Sequence, residues 1–265
     1  VELGANESIE RTFIVEVKDI SGKIENASTK HKYGVGLRVL LDLQEVYGYT
    51  SDCSLEGILA LASKLKGAYN SSPKKIDYEF KYEDATKNGY VKINRLSKDV
   101  PQHEKISYLQ IVDDVMSGYD KRIVQRIVNI TDKTQFVTIF NTKGKYITDI
   151  RNQQRIGAQA VARDGSKSQS NGGTIGGNFD VDTFKNKDLK KFAADICEAC
   201  INMLDAPEMV GGVYPVIIHN GFGGVLFHEA CGHSLEATSV AKGLSVFTGK
   251  KGQKIASDIV TAIDD

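Results

Sequence analysis

No apolar run in this chain approaches the roughly 18 residues that a membrane-crossing helix requires, so a membrane-embedded helical protein is not expected. No signal-peptide pattern opens it either. Cysteine is sparse. Cys53, Cys197, Cys200 and Cys231 are too few in 265 residues for a disulfide framework, and a reducing cytoplasm is the expected setting. Net charge is lacking as well: 34 Lys and Arg balance 34 Asp and Glu, whereas nucleic-acid-binding domains carry a basic face. Lys121, Arg122 and Arg126 form only a small basic cluster, which reads as a solvated strand face. Direct nucleic-acid binding is therefore not expected. What remains is an ordinary globular composition, 41% hydrophobic, long enough for one large or two modest domains.

Periodicity sets out the elements. Residues 9–17 alternate apolar and polar, the period of a half-buried strand, and Asp19-Ile20-Ser21-Gly22-Lys23 reads as a turn into a second strand. Residues 34–41 and 45–50 read as a hairpin turning at Asp42-Leu43-Gln44. Ser54 is a suitable N-cap for a helix whose apolar stripe runs Leu55, Ile58, Leu59, Leu61, Ala62, Leu65. Pro73 restarts the chain. Residues 102–116 have helical period through Ile106, Leu109, Val112 and Val115 or Met116. Residues 122–130, 135–140 and 145–150 alternate again, the last two joined at Asn141-Thr142-Lys143-Gly144, and residues 154–163 extend the meander. Residues 188–204 read as a helix with Cys197 and Cys200 on one apolar face, rather than as a redox CxxC pair. Residues 166–178, rich in Gly and Ser, read as a mobile loop beside a substrate cleft. They lack the Gly-Lys-Ser/Thr ending of a phosphate loop. Strands in hairpins with intervening helices make the fold class α+β, with a mixed or largely antiparallel sheet and packed helices. The domain boundary is expected near Asp205-Ala206-Pro207, giving domains 1–206 and 207–265.

The most informative stretch is His228-Glu229-Ala230-Cys231-Gly232-His233, which follows a strand-like run (213–219) and the turn Asn220-Gly221-Phe222-Gly223-Gly224. Imidazoles bind zinc, and a neighbouring glutamate can act as the base for a bound water. In the familiar helical zinc motif the histidines are four apart, about 40° around the helix. Here they are five apart, about 140° on a regular helix. An inserted residue, as in a π-bulge, would return them to one side, and Gly232 offers local backbone freedom beside the second histidine. Cys231 reads as a small packed thiol. Glu236 either reaches a metal or orients a ligand, or is an ordinary surface glutamate. His219 reads as a hydrogen-bonded histidine at a strand end.

These residues carry a resemblance. Pro215-Val216-Ile217, the His-Glu-Ala-Cys-Gly-His segment, Leu235-Glu236, residues 245–257, Val260-Thr261 and Asp264-Asp265 resemble the TldD/PmbA family, known as metallopeptidases and modulators of DNA gyrase. More diffusely, so do Gly34-Val35-Gly36-Leu37-Arg38-Val39, residues 47–51 and Asn141-Thr142-Lys143-Gly144. The resemblance implies zinc bound by His228 and His233, with Glu229 catalytic. PmbA-type members lack the motif, so the chain looks like the TldD-type subunit, working with a PmbA-like partner or as a homo-oligomer on extended or unfolded peptides. In the family a cysteine of a later C-terminal region is the third ligand. Val1 and Asp265 thus look like internal cuts, with residues 207–265 opening a β-rich peptidase domain and the fragment itself inactive. The rival reading is a non-enzymatic interaction or maturation module whose His-Glu motif is structural.

Overall fold

The computed structural model describes residues 4–41, 44–68, 79–85 and 93–261. Val1, the Asp42-Leu43 turn, Pro73 and Asp264-Asp265 lie outside the described residues. Two compact units result, 1–207 and 208–265.

The first unit is α+β. Its strands are β1 (Gly4–Ile20), β2 (Lys23–Leu41), β3 (Gln44–Thr50), β4 (Lys81–Asp84), β5 (Ile123–Asn141), β6 (Lys145–Asp164) and β7 (Lys167–Asn178). They form one sheet in the order β3-β2-β1-β5-β6, antiparallel throughout. Both β4, which is parallel, and β7, which is antiparallel, pair with the outer side of β6, at its first and second halves. The β1–β2 hairpin turns at Ser21-Gly22, where the Asp19 carboxylate accepts from the Gly22 N–H at 2.9 Å. The α-helices among the described residues of this unit are α1 (Leu55–Lys66), α2 (Gln102–Tyr119) and α3 (Leu189–Asp205). Ser54 caps α1 by accepting from the Gly57 N–H, and Asp188 caps α3 from the Lys191 N–H.

The two-residue side-chain period places Val17, Val128, Ile130, Ile156, Ala158 and Ala160 on one face, where the α2 and α3 stripes bury them. Leu37 lies on that face too and packs with Leu61 and Leu65 of α1. Cys197 and Cys200 sit in this core. Burial pushes the Cys197 thiol up to about 11, which fits a packing role.

Three expectations are corrected. First, 122–130 and 135–140 are one strand, as are 145–150 and 154–163. Asp132 and Thr134 break the apolar alternation but stay in the ladder because each finds a buried partner. Lys105 Nζ of α2 lies 2.7 Å from Asp132 Oδ2, with both side chains almost fully buried. Thr134 Oγ1 donates to Asn152 Oδ1, which also accepts from the Ser97 N–H. Second, the Gly- and Ser-rich stretch is no loop but strand β7. Its glycines allow close approach: a Cβ on Gly176 would sit 2.4 Å from the Gln154 carbonyl, and Gly173 lies against Phe192 and Ile196 of α3. Third, in the small basic cluster only Lys121 is solvated, and the two arginines are paired. Arg126 pairs with Asp113 at 2.8 Å, and Arg122 joins Asp120 to Asp205 at the end of α3.

In the second unit, α4 (Asn220–Phe227) and α5 (Ala237–Ala241) flank the histidine motif. The run 213–219, read as a strand, belongs to no ladder, and no strand occurs among the described residues of 208–261. A strand needs a neighbour for its N–H and C=O groups, and none of these residues supplies one.

Burial raises the Asp132 carboxyl above its usual range, with Lys105 opposing the rise. A buried pair is costly to break from one side only. Lys105→Met is expected to cost about 3–5 kcal/mol in urea unfolding, while Lys105→Met with Asp132→Leu costs far less. A carboxyl raised in the fold binds its proton more tightly there than in the unfolded chain. The stability it contributes is held below the usual pKa and lost as pH rises through the folded value. The deficit of the single variant should therefore shrink in acid.

Candidate metal centre

The chain enters the motif from α4. His219 caps this helix, its Nδ1 accepting from the Gly221 N–H at 3.0 Å, so this histidine is committed to the backbone. Where α4 would continue, His228–Gly232 widens into a π-helical turn and His233–Leu235 tightens into a 3-10 turn. The extra residue in the wide turn removes the 140° divergence. The His228 and His233 ring centroids are 4.4 Å apart, edge to face. Gly232 acts differently from expectation. Its backbone is ordinary right-handed helix, so no special freedom is used. What matters is its missing side chain, since a Cβ there would lie 3.2 Å from His228 Nδ1.

Potential ligand atoms of His228, Glu229 and His233 all lie within 4.8 Å of one another, and all three residues are exposed. Glu229 Oε2 is 3.9 Å from His233 Nε2. On the other side of the ring, Glu236 Oε1 lies 2.8 Å from His233 Nδ1. That hydrogen bond, with the charges of Glu229 and Glu236 behind it, raises the His233 pKa above its usual value. In the neutral ring the contact favours the proton on Nδ1 and leaves the Nε2 lone pair free. A carboxylate behind an imidazole in this way orients a metal ligand and raises its basicity. Cys231, between the histidines, is half-buried and is not among the clustered ligand atoms. The Ser245 hydroxyl donates to the Ser234 carbonyl, tying residues 245–248 to the end of the motif.

The donor set suits a transition ion. Two nitrogens bonded at 2.0–2.1 Å to a tetrahedral ion stand about 3.4 Å apart. The ligand atoms here lie within 4.8 Å of one another, so rotation of the exposed side chains has at most about 1.5 Å to close. Two imidazoles favour zinc and its neighbours over magnesium or calcium.

Three family models cover most of the chain: PmbA/TldA metallopeptidase domain 1 at residues 9–68, the central domain at 95–204 and the C-terminal domain at 211–265. The chain belongs to the PmbA/TldD metallopeptidase family. It is 27% identical over 250 residues to a metalloprotease TldD homolog of Haemophilus influenzae, covering 92% of this chain and 52% of that one. It is 28% identical over 257 residues to a metalloprotease of Methanothermobacter thermautotrophicus, covering 96% and 55%. The chain thus spans about half the length of these relatives. Its fold matches the crystal structure of a candidate modulator of a DNA gyrase from Thermotoga maritima, with TM-score 0.70, 18% identity, and 94% and 55% of the two chains covered. It also matches TldE from Thermococcus kodakarensis, with TM-score 0.58, 14% identity, and 93% and 55% covered. Among the described residues no helix is long and apolar enough to cross a membrane.

The Glu236 contact makes a direct expectation. In NMR titration of the chain in metal-free buffer, the His233 midpoint should lie above 6.5 and fall towards it in Glu236→Gln. An unchanged midpoint in that variant would remove Glu236 from its assigned place.

Proposed function

We propose that this chain carries the metal site of a zinc-dependent peptidase subunit that hydrolyses extended or unfolded peptides. The observation that carries the reading is the gathering of His228, Glu229 and His233 by a π-helical turn, with Glu236 held behind His233. His228 and His233 would hold the zinc, and the third protein ligand would come from beyond this chain, as catalytic zinc normally takes three. When bound, the metal supplies Lewis-acid polarisation of the scissile carbonyl and acidifies a water. The protein's own residues do the proton work. Glu229, exposed and 3.9 Å from His233, would take a proton from the attacking water and return one to the leaving amine. Glu236 keeps the His233 ring in one tautomer and orientation.

A partner subunit of the PmbA type, or a second copy, would complete the assembly, a reading supported by the likeness to TldE. An extended peptide would pair its main chain with a sheet edge. The test uses a form extended through the family's full C-terminal domain, with its partner. Glu229→Gln should keep the metal and lower peptide cleavage by about 10²–10⁴-fold. Cleavage retained at the original rate in that variant would overturn the assigned role.

A further inference from the structure

One face of the first unit's sheet carries α1, α2 and α3. On the other, Thr12, Gln135 and Val137 are buried, while Gln153, Arg155, Thr174 and Asn178 are exposed and no helix among the described residues packs on them. On that open face the register aligns Lys30, Ile14, Lys133, Gln153 and Asn178 across β2, β1, β5, β6 and β7. The next two rows add Thr131 and Arg155, then Asn129 above Gly157 and Thr174. All of these except Lys30, which stands beside Ile14 on β2, line a hollow of about 740 Å³, to which Asp132 and Gln154 also contribute. A second hollow of about 310 Å³ is lined by the cross-strand pairs Thr12–Lys32 and Gly36–Tyr49, with Tyr49 exposed.

The charge on this face is one-sided. Lys18 and Arg151 are taken by Glu25 and Asp149, each at 2.8 Å. Lys30, Lys32, Lys133 and Arg155 have no carboxylate partner among the described residues, while Glu16 is the unpaired acid beside them. The whole chain is neutral, so cations have been concentrated here. The amides of Asn129, Gln153 and Asn178 and the hydroxyls of Thr131 and Thr174 stand between them. Such groups can both donate to and accept from a peptide main chain. No aromatic ring lines the larger hollow, so it lacks the stacking platform that single-stranded nucleic acid uses. Five strands at about 4.8 Å spacing give a row of about 19 Å, the length of five or six extended residues.

We propose that this open face is a binding surface for an acidic, extended peptide segment, with Lys133 and Arg155 as its central charge contacts. The surface lies wholly in the first unit and uses none of the metal-site residues. Chelator is present throughout its test, so the fate of the metal reading does not decide it.

The experiment is fluorescence anisotropy with a labelled decapeptide of alternating Glu and Ser, set against one of alternating Lys and Ser and against oligothymidine. The acidic peptide should bind with Kd on the order of micromolar, and weaken as salt rises from about 50 to about 300 mM. Lys133→Glu with Arg155→Glu should weaken it by at least about tenfold. Lys187→Glu with Lys190→Glu, the same charge change elsewhere on the surface, should leave it unchanged. If the first double variant does not fold, Lys133→Ala with Arg155→Ala carries the test, with a loss of about three- to fivefold expected. Equal weakening by the control variant, or tighter binding of oligothymidine than of the acidic peptide, would overturn the proposal.

Discussion

Strands of 17 to 20 residues in one antiparallel ladder commit the first unit to covering a single long face, and much else follows from that constraint. The apolar stripes of α1, α2 and α3 supply the cover. Where the strands carry polar residues on the covered side, each must be matched, hence Lys105 on Asp132 and Asn152 on Thr134. Strand β7 is thin where its neighbours press close, Gly176 against the Gln154 carbonyl of β6 and Gly173 against Phe192 and Ile196 of α3. The exposed part of the other face, around Gln153 and Arg155, escapes these demands and is free to carry charge.

The second unit answers to a different constraint. A regular α-helix cannot turn residues i and i+5 towards one point. One extra residue in the turn changes that, and such insertions occur often at functional sites. Each neighbour of the turn then has a definite part. Gly232 leaves room for the His228 ring, Glu236 holds the far nitrogen of His233, and His219 closes the start of α4. The site is therefore local. It is built within 18 residues, from 219 to 236, and asks little of the rest of the chain for its shape.

Much of this was legible in the sequence. Alternation gave β1, β-branched residues and turns gave β3 and the second half of β2, helical period gave α1, α2 and α3, and the i,i+5 spacing itself pointed to a wide turn; that β2 runs unbroken over Lys23–Leu41 was not read. Two kinds of feature were not legible. The unbroken length of β5 and β6 depends on partners distant in sequence, since Asp132 reads as an interruption until Lys105 is placed opposite it. Strand β7 reads as loop because glycine has no strand propensity. Its pairing is decided by β6 alongside and by α3 above, which a local pattern does not contain. The open cationic face was hidden for the same reason. Lys30, Lys133 and Arg155 lie on three different strands and meet only through register.

The central claim is that His228 and His233 share one metal ion. The most direct measurement is metal analysis with X-ray absorption on a form that includes the family's complete C-terminal domain. The account expects about one zinc per chain, with scattering from two imidazoles at about 2.0–2.1 Å. A well-folded protein that takes up no metal, or one that keeps the same metal after both histidines are replaced, would contradict it.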